Sequence, residues 1–190
     1  MAIDAILMGA LKSNASNTIT SDSATTTNGT SKFAIGVTWD ASTTITGGVP
    51  SDSKGNTWVA AGAERTVNGG KQRWFITTTK LGGSSHTITV AFSGTAYPTI
   101  TPLEITSAGD VDIATDSEDT GGMPITMASG TVASQPPVLL ALVSNYTGSD
   151  GEVAYVATYG IPDQNGDGFV NAADARILYP QGHGDAWGHY

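Results

Sequence analysis

Residues 163–174 read DQNGDGFVNAAD and place side-chain oxygens on Asp163, Asn165, Asp167, Asn171 and Asp174. Counted from Asp163, these are positions 1, 3, 5, 9 and 12 of a twelve-residue loop, the spacing with which a tight turn gathers ligands around calcium. Ca²⁺ takes about six to eight hard oxygens at about 2.3–2.6 Å in a loosely defined geometry. Gly168 stands at position 6, where the chain must turn sharply. Phe169 at position 7 offers its carbonyl oxygen, so its side chain need not be polar. Val170 is expected to point inward and tie the loop to the fold. Asn171 is placed to cap a short helix over 172–179, with Ile177 and Leu178 as its apolar face and Pro180 beyond its end. The expected role of the ion is structural, because without it three carboxylates repel one another. A turn of Asn, Asp and Gly ahead of a short helix, with no metal, is the plainer alternative.

Other residues that could do chemistry point to less. His183, Asp185 and His189 in the tail are suitable transition-metal ligands. A glycine-rich arm does not pre-organise them, and contact with a neighbouring subunit is the simpler expectation. Asp110, Asp112, Asp116, Glu118 and Asp119 form an acidic stretch that reads as a solvated loop before it reads as a second cation site. His86 opens a strand and shows no partner in the sequence. Trp39, Trp58 and Trp74 alternate with apolar neighbours, which favours core packing over sugar stacking. There is no Gly-x-Ser-x-Gly, no His-Glu-x-x-His and no glycine-rich phosphate loop leading into a helix. Glu64, Glu104 and Glu152 are isolated carboxylates with no visible pairing of the kind glycoside hydrolysis needs. The chain therefore reads as a non-enzyme.

The elements that must hold these residues are strands. At 190 residues the chain can bury one good-sized core with a small appendage. Its 24 Gly and 8 Pro with only 13% charged residues are the composition of a turn-rich all-β protein. The net charge of -9 argues against nucleic acid, since no basic patch exists to neutralise phosphates. With no cysteine there is neither a disulfide framework nor a thiolate metal site. Residues 1–12 lack the basic and long apolar regions of a signal peptide, and no run approaches the roughly 18 apolar residues of a membrane span. The expectation is a product made in a cytosol that contacts no membrane.

In chain order, 3–11 reads as a strand and 14–30 as one exposed edge strand with a long loop. Residues 32–39 alternate Phe33, Ile35, Val37 and Trp39 on one face, the pattern of a core strand. Short strands at 42–46 and 57–61 flank a turn cluster, and strands at 65–67 and 73–80 flank the hairpin signal Asn68-Gly69-Gly70. Residues 86–92 alternate through Ile88, Val90 and Phe92. Residues 97–106 carry Pro98 and Pro102 and are expected at an edge or a bulge. Strands are also expected at 125–129, 137–143 and 152–159, and the run 138–143, apolar on both faces, belongs at the centre of a sheet or between two sheets. About ten short strands spaced by turns predict an antiparallel β-sandwich, jelly-roll-like, over 1–160, with a calcium-loop-plus-helix appendage and contact tail over 161–190.

Three passages together carry a resemblance: VPSDSKGNTW at 49–58, TKLGGSSHTITVAFS at 79–93, and the strand over 98–108. They resemble jelly-roll modules of phage virion proteins and bacterial surface proteins, across roughly residues 3–160. In such modules the Asp-Ser-x-Gly-Asn-Thr piece is a loop leading into a core strand and is not catalytic. The loop at 163–174 resembles one half of a dockerin repeat, in which Asp commonly closes the loop. A dockerin carries two such repeats and this chain has one, so calcium binding is implied and cohesin binding is not. The resemblance implies a structural virion subunit, a head decoration or capsid-surface protein, acting as a homo-oligomer bound to the major capsid protein and stiffened by Ca²⁺. The alternative it implies is a glycan-binding or adhesive module of a bacterial cell surface.

Overall fold

The computed structural model describes residues 4–8, 12–67, 70–106, 138–144, 154–160 and 176–178. Every regular element among them is a strand, and every pairing is antiparallel. The strands are β1 (Asp4–Leu7), β2 (Lys12–Ser13), β3 (Ser16–Thr20), β4 (Lys32–Asp40), β5 (Ser51–Asp52), β6 (Trp58–Val67), β7 (Gly70–Thr77), β8 (Ile88–Ala96), β9 (Thr99–Thr106), β10 (Val138–Ser144), β11 (Ala154–Gly160) and β12 (Arg176–Leu178). They form a six-stranded sheet in the order β1-β9-β4-β7-β6 with β2 also on β9, a three-stranded sheet β3-β8-β5, and a three-stranded sheet β10-β11-β12.

The core lies between the first two sheets. Phe33, Ile35, Val37 and Trp39 alternate along β4 as their spacing predicts, and all four are fully buried. They meet Ile88, Val90 and Phe92 from β8, Ile19 from β3 and Phe75 from β7. Removing side chains of this size from water is worth about 1.5–3 kcal/mol each. The two expected strands at 57–61 and 65–67 are one strand, β6, whose register against β7 shifts between Ala61 and Arg65. A bulge of this kind absorbs extra residues without ending the pairing.

β4 differs from the one-sided strand its alternation predicts, because both its faces are buried. Lys32, Ala34 and Thr38 lie on the face away from the main core and are nonetheless buried. Along this sheet β11 lies against β4 and β9, and β10 lies against β7. The third sheet thus covers the back of the six-stranded one. Among the described residues β10 pairs with β11 alone, so it stands at the end of its sheet rather than the centre.

The proline-bearing strand is not at an edge. β9 is paired on both sides, by β4 and by β1 with β2. Pro102 is tolerated there for a local reason. Its carbonyl accepts from Met8 N, so the missing N–H points the same way, toward the break between β1 and β2. No bond to β4 is lost.

The C-terminal helix expected over 172–179 is also corrected in part. Arg176–Leu178 is a strand, pairing with Val156, Ala157 and Thr158 of β11. An apolar Ile-Leu pair satisfies its backbone equally well on a sheet edge, and a helix so short has little stability of its own. Residues 172–175 and 179 lie outside the described residues.

Candidate functional site

The calcium ligands expected from the sequence, Asp163, Asn165, Asp167, Phe169, Asn171 and Asp174, lie outside the described residues, as do His183, Asp185, His189 and the acidic stretch at 110–119. Among the described residues no group of three or more His, Asp or Glu side chains could hold a metal ion. The concentration of polar chemistry that the fold does assemble is elsewhere, at the end of the sandwich where β4 begins.

There, three connecting segments meet: 21–31 between β3 and β4, 53–57 after β5, and 78–87 between β7 and β8. Asp52 ends β5, and its side chain has no exposure to solvent. Its Oδ1 accepts from Lys54 N at 2.8 Å and from Asn56 N at 3.2 Å, the side-chain-to-backbone turn that the Asp-Ser-x-Gly-Asn spelling favours. Gly55 completes this turn with φ +76°, a conformation that costs a residue with a Cβ about 1 kcal/mol or more. Oδ2 accepts from the Trp58 indole Nε1 at 2.8 Å, which joins the turn to the first core residue of β6.

His86, two residues before β8 begins, is wholly buried. Its ring stands edge-on to Phe33 with centroids 4.5 Å apart. Nδ1 is 2.9 Å from Thr26 Oγ1, and Nε2 is 3.7 Å from Asp52 Oδ2, beyond hydrogen-bond range but within ion-pair range. Burial on its own would push the Asp52 carboxyl up. The His86 ring, Asn56 and the Lys54 N–H outweigh that and hold it well below the ordinary carboxylate range.

Around this pair the segments are tied by side chains reaching for backbone. Asn56 Oδ1 accepts from Leu81 N at 2.9 Å and Thr79 Oγ1 at 2.8 Å, while its Nδ2 donates to Leu81 O at 2.8 Å. Ser53 Oγ accepts from Thr87 N and donates to Ser85 O. Glu104 Oε1, from the buried end of β9, accepts from Thr27 N at 2.8 Å. Gly82 lies so close to Thr27 that a Cβ there would overlap its carbonyl oxygen and stand 2.6 Å from its carbonyl carbon.

Thr26, His86 and Asp52 form a hydroxyl–imidazole–carboxylate series, but its geometry suits lacing rather than reaction. Thr26 is 7% exposed and its hydroxyl already accepts from Gly83 N at 3.1 Å. Both the imidazole and the carboxylate are closed to solvent. What this arrangement does is bind three loops into one end-plate. The loop 49–58 leads into β6, which stands at the end of its sheet rather than in the core and buries Trp58 at its start, and His86 has partners that the sequence does not disclose. Asp52 was visible as a turn residue, whereas the 34-residue separation from His86 hid their meeting. Trp39 and Trp58 are buried, in line with core packing, whereas Trp74 is half-buried on β7.

No protein-family model, curated protein or solved structure matches this chain.

Proposed function

We propose that this protein is a structural β-sandwich subunit of a phage virion, a decoration of the capsid surface stabilised by calcium. The observation that supports it most is the strand order. If β1 and β2 are taken as one interrupted strand, the sheets run first-eighth-third-sixth (β1-β9-β4-β7) and second-seventh-fourth (β3-β8-β5). That interleaving is the one two Greek keys produce in a jelly roll, the architecture shared by many capsid domains. The one departure is the fifth strand, β6, which pairs with β7 instead of completing the second sheet beside β5. Polar side chains at the clasped end serve rigidity, which suits a part of a shell.

In this reading Asp163, Asn165, Asp167, Phe169, Asn171 and Asp174 hold one Ca²⁺ and steady the C-terminal segment, and the tail supplies contacts to the capsid protein or to further copies. The decisive experiment is fractionation of the native source. Recovery with purified virions, and re-binding of the purified protein to stripped capsids, is the expected result. Recovery with the cell envelope, together with retention on polysaccharide, would replace this reading with a glycan-binding surface module. Calcium is tested separately by thermal melting. A free calcium concentration of a hundred times Kd adds about 2.7 kcal/mol. The gain should vanish in Asp163→Ala and Asp167→Ala variants, and a melt unchanged at millimolar calcium would remove the ion from the proposal.

A further inference from the structure

We propose that the polar cluster at the clasped end is one directional series, hydrogen-bonded from Gly83 through Thr26 to His86 and electrostatic from His86 to Asp52, and that the three loops it joins open together as one unit before the core does. The direction follows from groups that can only donate. Gly83 N–H donates to Thr26 Oγ1 at 3.1 Å. The one hydroxyl proton of Thr26 then has two possible acceptors, His86 Nδ1 at 2.9 Å and Gly83 O at 3.4 Å. The shorter contact has ordinary hydrogen-bond length and the longer one is at the limit, so the proton goes to Nδ1.

Nδ1 is thereby an acceptor, and the ring proton resides on Nε2. The other side of the ring demands the same. Nε2 faces Asp52 Oδ2 at 3.7 Å, and a bare lone pair there would confront a buried carboxylate. Asp52 in turn receives three obligate donors: Lys54 N–H, Asn56 N–H and Trp58 Nε1–H. The relay runs from Gly83 through Thr26 and His86 to Asp52, and the turn at 52–58 closes on Asp52 from the far side.

Loss of the Thr26 link leaves Gly83 N–H and His86 Nδ1 unmatched, and the freed His86 ring passes the disturbance to the Asp52 carboxylate it faces. The 21–31 segment supplies Thr26, the 78–87 segment supplies Gly83 and His86, and the turn after β5 supplies the rest. No link lies wholly within one loop except the Asp52 turn itself. Opening any one loop therefore breaks links to both of the others, and the bonds of Asn56 to Leu81 and of Ser53 to Thr87 add to the coupling between the 53–57 and 78–87 segments. Core strand β4 is held separately, by β7 and β9 on its two sides, and does not depend on the relay.

The experiment is native-state hydrogen exchange on the intact protein, read at the Gly83, Lys54 and Asn56 amides and the Trp58 indole N–H. All four are expected to share one opening equilibrium, agreeing within about threefold, and to exchange well before the amides of β4. Opening equilibria that differ among the four by more than about tenfold, or that all coincide with the β4 amides, would overturn the proposal. Thr26→Val sharpens it, because Thr26 touches none of the Asp52 donors. Protection at Lys54, Asn56 and Trp58 should fall together with Gly83 by about tenfold or more, and Thr26→Ser should restore it. A fall confined to Gly83 contradicts the relay. Long-range nitrogen–proton spectra of His86 at neutral pH test the direction without any substitution. A proton on Nε2 alone is expected, and a proton on Nδ1, alone or in addition, reverses the assignment.

Discussion

At the end of the sandwich where β4 begins, Asp52 and His86 sit out of reach of water, and every neighbouring loop is fastened to them or to Asn56. At the end where β4 finishes, similar groups work at the surface. Asp40 Oδ1 caps the turn by accepting from Ser42 N at 2.7 Å, and Lys71 Nζ stands 3.1 Å from Glu64 Oε1, whose side chain is 38% exposed. Lys71 Nζ also reaches Thr43 O at 3.4 Å, and the indole of Trp39 donates to the same carbonyl at 3.2 Å. Both ends use a carboxylate, a cation-capable side chain and a tryptophan N–H. They differ in solvent. A buried acceptor serves donors that have no water to fall back on, whereas an exposed one competes with water at every contact.

That difference predicts unequal consequences for similar substitutions. The largest effect is expected for Asp52→Ala, which strands Lys54 N–H, Asn56 N–H and Trp58 Nε1–H and leaves His86 facing a void. Loss of about 3–4 kcal/mol in a denaturant melt is the expected outcome. A loss below about 1 kcal/mol would mean that water replaces the carboxylate and that the two ends are alike. The same residue has a pH signature. Its carboxyl is held below its ordinary value of 3.8, so its contribution is complete above that value and is lost as pH falls through it toward the lower folded value. The stability gap between wild type and Asp52→Asn should therefore be flat from neutral pH to about 5 and shrink below about 4. A gap that stays constant into stronger acid would show that Asp52 does not titrate with folding.

Gly82→Ala should come next, at about 2–3 kcal/mol, because the clash is with the Thr27 backbone and one of two tied loops must move. Melting temperature together with a crystal structure would show which. The smallest effect belongs to the opposite end. Glu64→Gln removes the exposed ion pair with Lys71 and is expected to change stability by less than about 0.5 kcal/mol, with the difference fading in high salt. A loss of 2 kcal/mol or more there would be about that of a buried pair and would cancel the contrast.

Much of the scaffold can be read from particular residues. Phe33, Ile35, Val37 and Trp39 announce a core strand by their period of two, and Ile88, Val90 and Phe92 announce its counterpart on the facing sheet. The Asn-Gly-Gly signal marks the hairpin between β6 and β7. Pro102 misleads, because local chemistry says that it lacks a donor and not which neighbour the donor would have faced. The apolar run at 138–143 shows that both faces need cover without saying which sheet it joins. Ile177 and Leu178 suit a short helix or a sheet edge, and pairing with β11 decides between them.

The calcium proposal for the twelve residues from Asp163 to Asp174 rests on spacing alone, because a loop that gathers its own ligands would need nothing from the rest of the chain. Turns behave in the same way, as the Asp52–Asn56 turn shows. What only the tertiary structure decides is which of these local pieces meet. His86 and Asp52 acquire one another, and Thr26 acquires His86, because antiparallel pairing brings β5 and β8 side by side and ties Ala24 to His86. Burial then turns a turn residue and an unpaired histidine into a lock. Periodicity and spacing are local and survive in a string of letters, but pairing and desolvation are properties of the folded whole.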